Sequence, residues 1–225
     1  AKHGRLVERG DGSILRASRV AALYETPVLG INLGKLGFLA EIEPADVAER
    51  LPSLVRGGYW IEERIMLQIE HRRGGERLHT YQALNEGVVG SQALSRVVRV
   101  ATRLNGQKLT SYTGDGVLVA TPTGSTAYSH AAGGPILHPE VHSLVLTPIC
   151  AHPRTSGSLV VPAHTIVELT VHSDHEATLS IDGQDDVPML DGDVAVMSIS
   201  PYLARFLRSQ QRDYFYQTLL RKLRL

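Results

Sequence analysis

The chain is poor in cysteine and aromatic residues and carries no net charge, and each shortage excludes a class of protein. Cys150 is the single cysteine among 225 residues, so an internal disulfide is impossible and a reducing compartment is favoured. Lys and Arg number 23 against 23 Asp and Glu, which gives no electrostatic case for a nucleic acid or an anionic membrane. Aromatic residues make up only 5%, too few for a base-stacking surface.

Long apolar runs are also missing. No stretch approaches the ~18–20 residues that a membrane helix requires, and the N-terminal residues do not form a secretory signal. The length is sufficient for one large domain or two modest ones with a sizeable core. The sequence therefore predicts a soluble cytoplasmic protein without a nucleic-acid or membrane partner.

The N-terminal part, residues 1–63, alternates helix and strand signals. Residues 10–13 read Gly-Asp-Gly-Ser and lead into a helix for which Ser13 is the expected N-cap. A short buried strand is predicted over residues 27–32, and a second helix after Pro44. This order predicts a Rossmann-like α/β domain. We expect that domain to be incomplete, because the residues before Gly10 are mostly polar and predict no strand.

The central part, residues 64–204, has the pattern of a β-rich domain. Asn105-Gly106 and the segment 73–76, Arg-Gly-Gly-Glu, are hairpin signals between strand-like runs. Further short runs are punctuated by Pro and Gly at about 10-residue spacing, which predicts a β-sandwich-like domain. Residues 205–225 form an amphipathic tail that is expected to return to the N-terminal domain.

The stretch 112–139 departs most from ordinary core composition. A turn at Asp115-Gly116 and a short apolar strand are followed by residues 121–134, which are almost all Thr, Ser, Gly and Ala. Such residues let backbone N–H groups and hydroxyls approach a polar ligand closely. A strand, a Gly-rich turn and a helix of small residues would also present helix N-terminal donors to an anion. The composition alone is equally compatible with a surface loop.

Carboxylates and an amide stand at the predicted strand ends. Asn85-Glu86 is expected to close a strand, Asp115 precedes the central strand, and Asp182 follows another. An Asn with a carboxylate can hold the two hydroxyls of a ribose, although each such pair alone is commonly a turn. With Asp11, they form a set of acidic residues that could surround a dinucleotide.

Several familiar catalytic patterns are absent. There is no His-Glu-x-x-His and no paired cysteine, so no metal site is predicted. The G-x-S-x-G turn of serine hydrolases, the P-loop and the complete G-x-G-x-x-G of dehydrogenases are also missing.

Five segments, in order along nearly the whole chain, resemble the NAD kinase family. They are Gly10–Arg16, Gly30–Leu39, Ala83–Glu86, the stretch from Asp115 to Pro139, and Ser180–Gln184. Residues 121–129, Thr-Pro-Thr-Gly-Ser-Thr-Ala-Tyr-Ser, are the most diagnostic. The tail from Tyr214 to Leu225 also resembles the C-terminus of the family.

The resemblance implies a phosphotransferase with an alcohol group as acceptor. The family transfers the terminal phosphoryl of ATP, or of inorganic polyphosphate in some bacterial members, to the adenosine-ribose 2′-hydroxyl of NAD, giving NADP. It also implies a divalent cation, expected to be Mg²⁺ carried mainly by the phosphate donor. A homodimer or homotetramer is implied as well.

Site residues follow from the same resemblance. Asp11 would be the general base, and Gly10, Gly12 and Ser13 would form the phosphate-donor loop. The expected NAD-binding residues are Asp11, Gly12, Arg16, Phe38, Asn85, Glu86, Asp115, Ser125, Thr126, Ala127, Tyr128, Ser129, His130, Ala131, Asp182 and Gln184. Among them, Phe38 is expected near the adenine, and Asn85 and Glu86 at ribose hydroxyls.

Three positions depart from the family pattern. Arg9 replaces the first glycine of the donor loop, Ser13 replaces a threonine and keeps the hydroxyl, and Ala131 stands where a serine is usual. The Arg9 departure leaves open a catalytically impaired NAD(H)-binding regulator. A diacylglycerol- or sphingosine-type lipid kinase is the other alternative, since it shares the Gly-Asp-Gly turn, but it lacks the stretch 121–129.

Overall fold

The computed structural model describes residues 5–8, 11–33, 37–91, 96–151 and 157–223. The chain divides into two compact units, one formed by Ala1–Arg64 with Tyr202–Leu225 and the other by Ile65–Pro201. The first combines helices with strands and the second is rich in strands. The predicted fold class, mixed α/β followed by a β-rich domain, is therefore confirmed.

The strands in chain order are β1 (Arg5–Glu8), β2 (Val28–Ile31), β3 (Trp60–Arg73), β4 (Glu76–Ala83), β5 (Glu86–Ser91), β6 (Val98–Leu104), β7 (Gln107–Gly114), β8 (Gly116–Ala120), β9 (Ser143–Ile149), β10 (Leu159–Pro162), β11 (Val167–His172), β12 (Ala177–Ile181), β13 (Asp185–Met189) and β14 (Val194–Arg208). The helices are α1 (Asp11–Ala22), α2 (Val47–Val55), α3 (Tyr128–Ala131) and α4 (Tyr214–Leu223). Single 3₁₀ turns span Pro44–Asp46 and Gly124–Thr126. Among these described residues, no helix has the length and apolar character needed to cross a membrane.

The first unit is built around the buried strand β2. Strand β1 runs parallel to it, with Leu6 opposite Leu29, and helix α1 connects the two. The end of β14 lies parallel on the other side of β2, where Phe206 is opposite Val28. Parallel neighbours joined by a helix are the βαβ arrangement expected of an α/β domain.

Strand β1 corrects the expectation that the residues before Gly10 supply no strand. The prediction failed because it rested on hydropathy, whereas the strand is defined by its backbone pairing with β2 over residues 5–8. Tertiary pairing of this kind is not visible in the side-chain pattern of a four-residue segment.

Helix α1 begins at Asp11, which corrects the expectation that Ser13 caps it. Asp11 therefore stands in the first turn, where a negative charge interacts favourably with the helix dipole. Ser13 is inside the helix and half-buried, and Ile14 and Leu15 supply the first core contacts.

The second unit contains an antiparallel sheet in the order β10-β9-β8-β5-β12-β13. Its central strand β8 is buried at every residue, as its apolar sequence predicts. In the same unit, β14, β11, β6 and β7 pair in that order, and β6 and β7 form the predicted hairpin at Asn105-Gly106. Both turn residues have positive φ, 50° and 76°, which favours this Asn-Gly pair.

Two strands of the sheet that contains β8, namely β5 and β13, were not predicted. Asn85-Glu86 was expected to close a strand, but β4 ends at Ala83 and Glu86 opens β5. Strand β5 contains two glycines, and β13, which pairs with β12 at the end of the sheet, reads Asp-Asp-Val-Pro-Met, so neither has a strong strand pattern. Position at the sheet edge tolerates the proline and charges of β13.

The predicted helix of small residues is shorter than expected. After β8, the chain makes one 3₁₀ turn and then the four-residue helix α3. Gly133 follows with φ of 86°, which ends the helical stretch. An N-terminal anion site of a long helix is therefore not formed at this place.

A buried ionic network joins the C-terminal return to the rest of the first unit. Arg208 is fully buried, and its guanidinium donates to Glu62 at 2.8 Å, to Glu41 at 3.1 Å and to the carbonyl of Leu39 at 3.1 Å. Although burial alone would raise it, the Arg64 and Arg208 charges hold the pKa of Glu62 at about 2. The network therefore consists of charged groups that compensate one another away from water.

We expect Arg208→Met to lower the free energy of unfolding by about 3–5 kcal/mol, because it removes the cation that bonds the buried Glu41 and one of the two that bond Glu62. The matched control is Arg205→Met on the same strand. Arg205 pairs at 2.8 Å with Glu63, whose side chain is 50% exposed, so its loss should cost about 0–1 kcal/mol. Urea unfolding of both variants measures the difference, and equal losses would show that the buried network does not stabilise the unit.

Candidate functional site

In the second unit, the strand pairing brings three polar segments together at one end of the neighbouring strands β8, β5 and β12. Strand β5 begins at Glu86, and its neighbours β8 and β12 both run antiparallel to it. Glu86 is opposite Ala120 and Gly87 is opposite Ile181. Consequently the residues that follow β8 and β12, Thr121 and Asp182, meet the turn that precedes β5.

Asp182 uses its carboxylate to hold that turn. Its oxygens accept hydrogen bonds from the backbone N–H groups of Leu84 at 2.9 Å, Asn85 at 2.7 Å and Glu86 at 3.1 Å. The side chain lies at a β12–β13 turn in which Asp182 and Gly183 both have positive φ, and Asp182 is 6% exposed. The predicted site residue Asp182 therefore shapes the backbone beside Asn85 and Glu86.

Thr121 holds the same turn by donating hydrogen bonds to two carbonyl groups of the turn. The Thr121 hydroxyl donates to the carbonyl of Leu84 at 2.5 Å, and its N–H donates to the carbonyl of Asn85 at 2.8 Å. Gly124 is pressed against the Asn85 backbone so closely that any Cβ would overlap the Asn85 carbonyl. This glycine is therefore required by the close approach of two chain segments.

Glu86 is a buried carboxyl group with unused bonding capacity. It is 5% exposed, and its Oε2 has no hydrogen-bond partner among the described residues. Burial, reinforced by the charge of Asp182, raises the pKa of Glu86 from 4.5 to about 8. At neutral pH this carboxyl is therefore protonated and can both donate and accept a hydrogen bond.

Tyr128 lies within electrostatic range of both Glu86 and Asp115. Tyr128 is 44% exposed, and burial raises the pKa of its hydroxyl, with further contributions from Cys150, Asp115 and Glu86. A hydrogen bond to Asp115 raises the pKa of the exposed Cys150 thiol. The structure thus brings Glu86, Asp115 and Tyr128 together as predicted site residues, with Cys150 as an additional neighbour.

The two serines of the stretch 125–129 turn inward. Ser125 is fully buried; its hydroxyl donates to the carbonyl of Pro122 at 2.6 Å and accepts the N–H of Leu137 at 2.9 Å. Ser129 is also buried and its hydroxyl lies 3.4 Å from that of Thr147. Both hydroxyls thus stabilise the loop.

The other members of the stretch remain more accessible. Thr126 and Ala127 are half-buried, whereas His130 and Ala131 are exposed on α3. Gln184 is half-buried, and its N–H closes the β12–β13 turn by donating to the carbonyl of Ile181 at 2.9 Å.

In the first unit, the carboxylate of Asp11 is held by the loop that follows β2. The N–H groups of Phe38 and Leu39 donate to its two oxygens at 2.9 Å and 3.4 Å. Gly37 is in direct contact with this carboxylate, and a Cβ there would overlap it. The orientation of Asp11 is therefore fixed by backbone groups.

Phe38 packs within the first unit. The Nζ of Lys222 lies 4.3 Å from the centre of the Phe38 ring, and the ring of Phe215 is 6.3 Å away. Burial lowers the pKa of Lys222, while the charge of Asp11 acts in the opposite direction. Lys222 is thus close to two predicted site residues.

The donor-loop residues are only partly described. Gly12 and Arg16 are exposed on α1, and Ser13 is half-buried. Arg9 and Gly10 lie outside the described residues, so the predictions that concern them stay predictions.

Matches to known families cover both units. The ATP-NAD kinase N-terminal domain matches residues 9–59, and the ATP-NAD kinase C-terminal domain matches residues 84–209. The chain belongs to the NAD kinase family. The NAD kinase of Chloroflexus aurantiacus is 41% identical over 215 residues, which are 96% of this chain and 78% of that protein. The NAD kinase of Carboxydothermus hydrogenoformans is 41% identical over 220 residues, with coverages of 97% and 78%.

Two solved NAD kinase family structures have similar folds. The yeast NADH kinase complexed with NADH has a TM-score of 0.88 and 25% identity, and the match covers 98% of this chain and 65% of that one. The NAD kinase from Archaeoglobus fulgidus in complex with ATP has a TM-score of 0.80 and 27% identity, with coverages of 97% and 82%. These matches confirm the predicted family and favour neither the lipid kinase nor the impaired regulator.

Three residues near the site were absent from the sequence-based set. Thr121 was quoted within the diagnostic stretch, but its part in holding the turn 84–86 depends on the β5–β8 register. In the second unit, Cys150 lies within electrostatic range of Tyr128, and in the first unit Lys222 lies beside Phe38; each comes from a distant part of the chain. A threonine directly after a fully buried strand is the one signal that the sequence offered.

The raised pKa of Glu86 generates a prediction about stability and pH. Below pH 4.5 the carboxyl is neutral in both the folded and unfolded states, so Glu86→Gln should match the parent in stability. Between pH 4.5 and about 8 the unfolded parent ionises while the folded parent does not, so the parent loses stability. Glu86→Gln should therefore become the more stable protein by a few kcal/mol at pH 8, with the difference constant above it.

Urea unfolding of both proteins at pH 4.5, 6 and 8 measures this difference. Every other titrating group is common to the two proteins and cancels in the comparison. A difference in unfolding free energy that does not change with pH would contradict the protonated state of Glu86.

Proposed function

We propose that this chain is an active NAD kinase that transfers the γ-phosphoryl of ATP to the 2′-hydroxyl of the adenosine ribose of NAD, giving NADP and ADP. The observation that carries the proposal is the match of both units to the NAD kinase domains. The geometry supports it, because an amide and a protonated carboxyl stand side by side at Asn85 and Glu86. Together they offer donors and acceptors for a ribose diol.

In the proposed reaction, the 2′-hydroxyl oxygen attacks the γ-phosphorus and the bond from that phosphorus to the β,γ-bridging oxygen breaks. ADP leaves, and the hydroxyl proton passes to the carboxylate of Asp11. A base in reach of the nucleophile contributes about 10²–10⁴-fold to such a step. The backbone N–H groups of Phe38 and Leu39 keep the Asp11 carboxylate in one orientation, so the side chain does not have to reorient before it accepts the proton.

The divalent cation of the proposal is Mg²⁺ carried by the phosphate donor, where it would neutralise charge on the transferring phosphoryl group. In the described part of the chain, no group of three or more His, Cys, Asp or Glu side chains is arranged to hold a metal ion. We further propose a cytoplasmic homodimer or homotetramer.

ATP is the preferred donor in this proposal. The ATP complex of the Archaeoglobus fulgidus NAD kinase supports that choice, and the NADH complex of the yeast NADH kinase supports a nicotinamide dinucleotide as acceptor. Inorganic polyphosphate is the second donor to be tested.

The proposed function is tested by incubating the protein with NAD and Mg²⁺ and with either ATP or polyphosphate. We expect NADP to form with ATP, measured by an NADP-specific enzymatic assay. Binding of NAD without NADP from either donor would contradict the kinase and favour a regulator.

We expect Asp11→Asn to lower kcat at least about 10²-fold, because an amide cannot accept the hydroxyl proton. The KM for NAD should change little. Since Asp11 also holds two backbone N–H groups, thermal unfolding of the variant must be compared with the parent. A variant with the parent's turnover would remove Asp11 from the role of base.

A further inference from the structure

We propose that Thr121 and Asp182 are positioning residues that fix the backbone of residues 84–86 and thereby hold the side chains of Asn85 and Glu86 in the orientation that binds a ribose diol. The identity of the diol as part of NAD rests on the proposed function. Neither Thr121 nor Asp182 needs to touch the dinucleotide for this role.

Two residues bond the whole backbone of the turn 84–86. The N–H groups of residues 84, 85 and 86 all donate to the Asp182 carboxylate. The carbonyls of Leu84 and Asn85 accept from Thr121, and the carbonyl of Glu86 accepts the N–H of Asp182 at 3.0 Å. Every backbone polar group of this three-residue turn is therefore bonded to one of two residues.

The bonded backbone of the turn leaves its side chains to recognise a ligand. A backbone whose donors and acceptors are bonded offers little to a ligand, so recognition falls to the side chains of Asn85 and Glu86. The backbone at residues 85 and 86 sets the direction of those two side chains, and Thr121 and Asp182 hold that backbone in place. A displaced turn would move both diol-binding groups together.

Asp182 also acts on Glu86 electrostatically. Within the described part of the chain, the titratable groups that interact with Glu86 are Asp182, from the β12–β13 turn, and Tyr128, from α3. The charge of Asp182 opposes ionisation of Glu86, which preserves a hydroxyl donor beside Asn85 at neutral pH. Asp182 thus acts on the diol-binding pair through its hydrogen bonds and also through its charge.

The test uses NAD binding to the full chain, measured by calorimetry without a phosphate donor. We expect Asp182→Asn and Thr121→Val each to weaken NAD binding about 10-fold or more, because each leaves buried backbone groups unpaired. Thr121→Ser keeps the hydroxyl and should restore the parent's affinity. Asp186→Asn, which alters an exposed carboxylate on β13, is the control and should bind NAD like the parent.

A second readout separates positioning from general destabilisation. In the parent, NAD affinity should change with pH around the pKa of Glu86, about 8. Asp182→Asn should move that change to lower pH, because the charge that opposes ionisation is gone. A variant that is only less stable would keep the parent's midpoint.

The outcomes distinguish the two proposals. A parent that forms NADP while Asp182→Asn and Thr121→Val bind NAD with unchanged affinity would overturn the positioning roles. A parent that binds NAD without forming NADP would contradict the kinase, and the variants would still decide the positioning roles. If Asp182→Asn does not fold, the comparison of Thr121→Val with Thr121→Ser decides, and equal affinities of that pair would overturn the proposal.

Discussion

Carboxylates that accept backbone N–H groups from a neighbouring loop are the interaction on which both units depend. Asp182 accepts from residues 84–86 and Asp11 from residues 38 and 39. Glu41 accepts from the N–H groups of residues 209 and 210, and Asp193 from that of Leu190. Segments outside the strand ladders have no regular partner for their N–H groups, and a carboxylate satisfies them with charge-assisted bonds.

This interaction explains why acidic residues near the site have different chemical roles. The Asp182 carboxylate accepts backbone N–H groups, and its negative charge raises the pKa of Glu86. Glu86 is therefore the carboxyl group that retains its proton. Two carboxyl groups in one low-dielectric region rarely ionise together, so their environments divide the roles between them. In the first unit, Asp11 accepts the N–H of Leu39, and Arg208 donates to the carbonyl of the same residue.

Much of the fold and of the site could be predicted from the sequence. The buried strand β8, the Asn105-Gly106 hairpin and the fold class follow from patterns that depend on neighbouring residues alone. The inward direction of Ser125 and Ser129 and the part of Thr121 could not be predicted, because they depend on which strands become neighbours. Strand β1 was not predicted for the same reason: its pairing with β2 defines it, and the polar character of the segment gives no sign of that pairing.

The contact of Gly124 with the Asn85 backbone has a consequence for redesign of substrate preference. No side chain fits at Gly124, so that position tolerates no variation in a combinatorial library. In the proposed site, Asn85 and Glu86 supply the diol-binding side chains on a backbone that Thr121 and Asp182 hold in place. Randomising these two positions while keeping 121, 124 and 182 constant would therefore alter recognition without disturbing the scaffold.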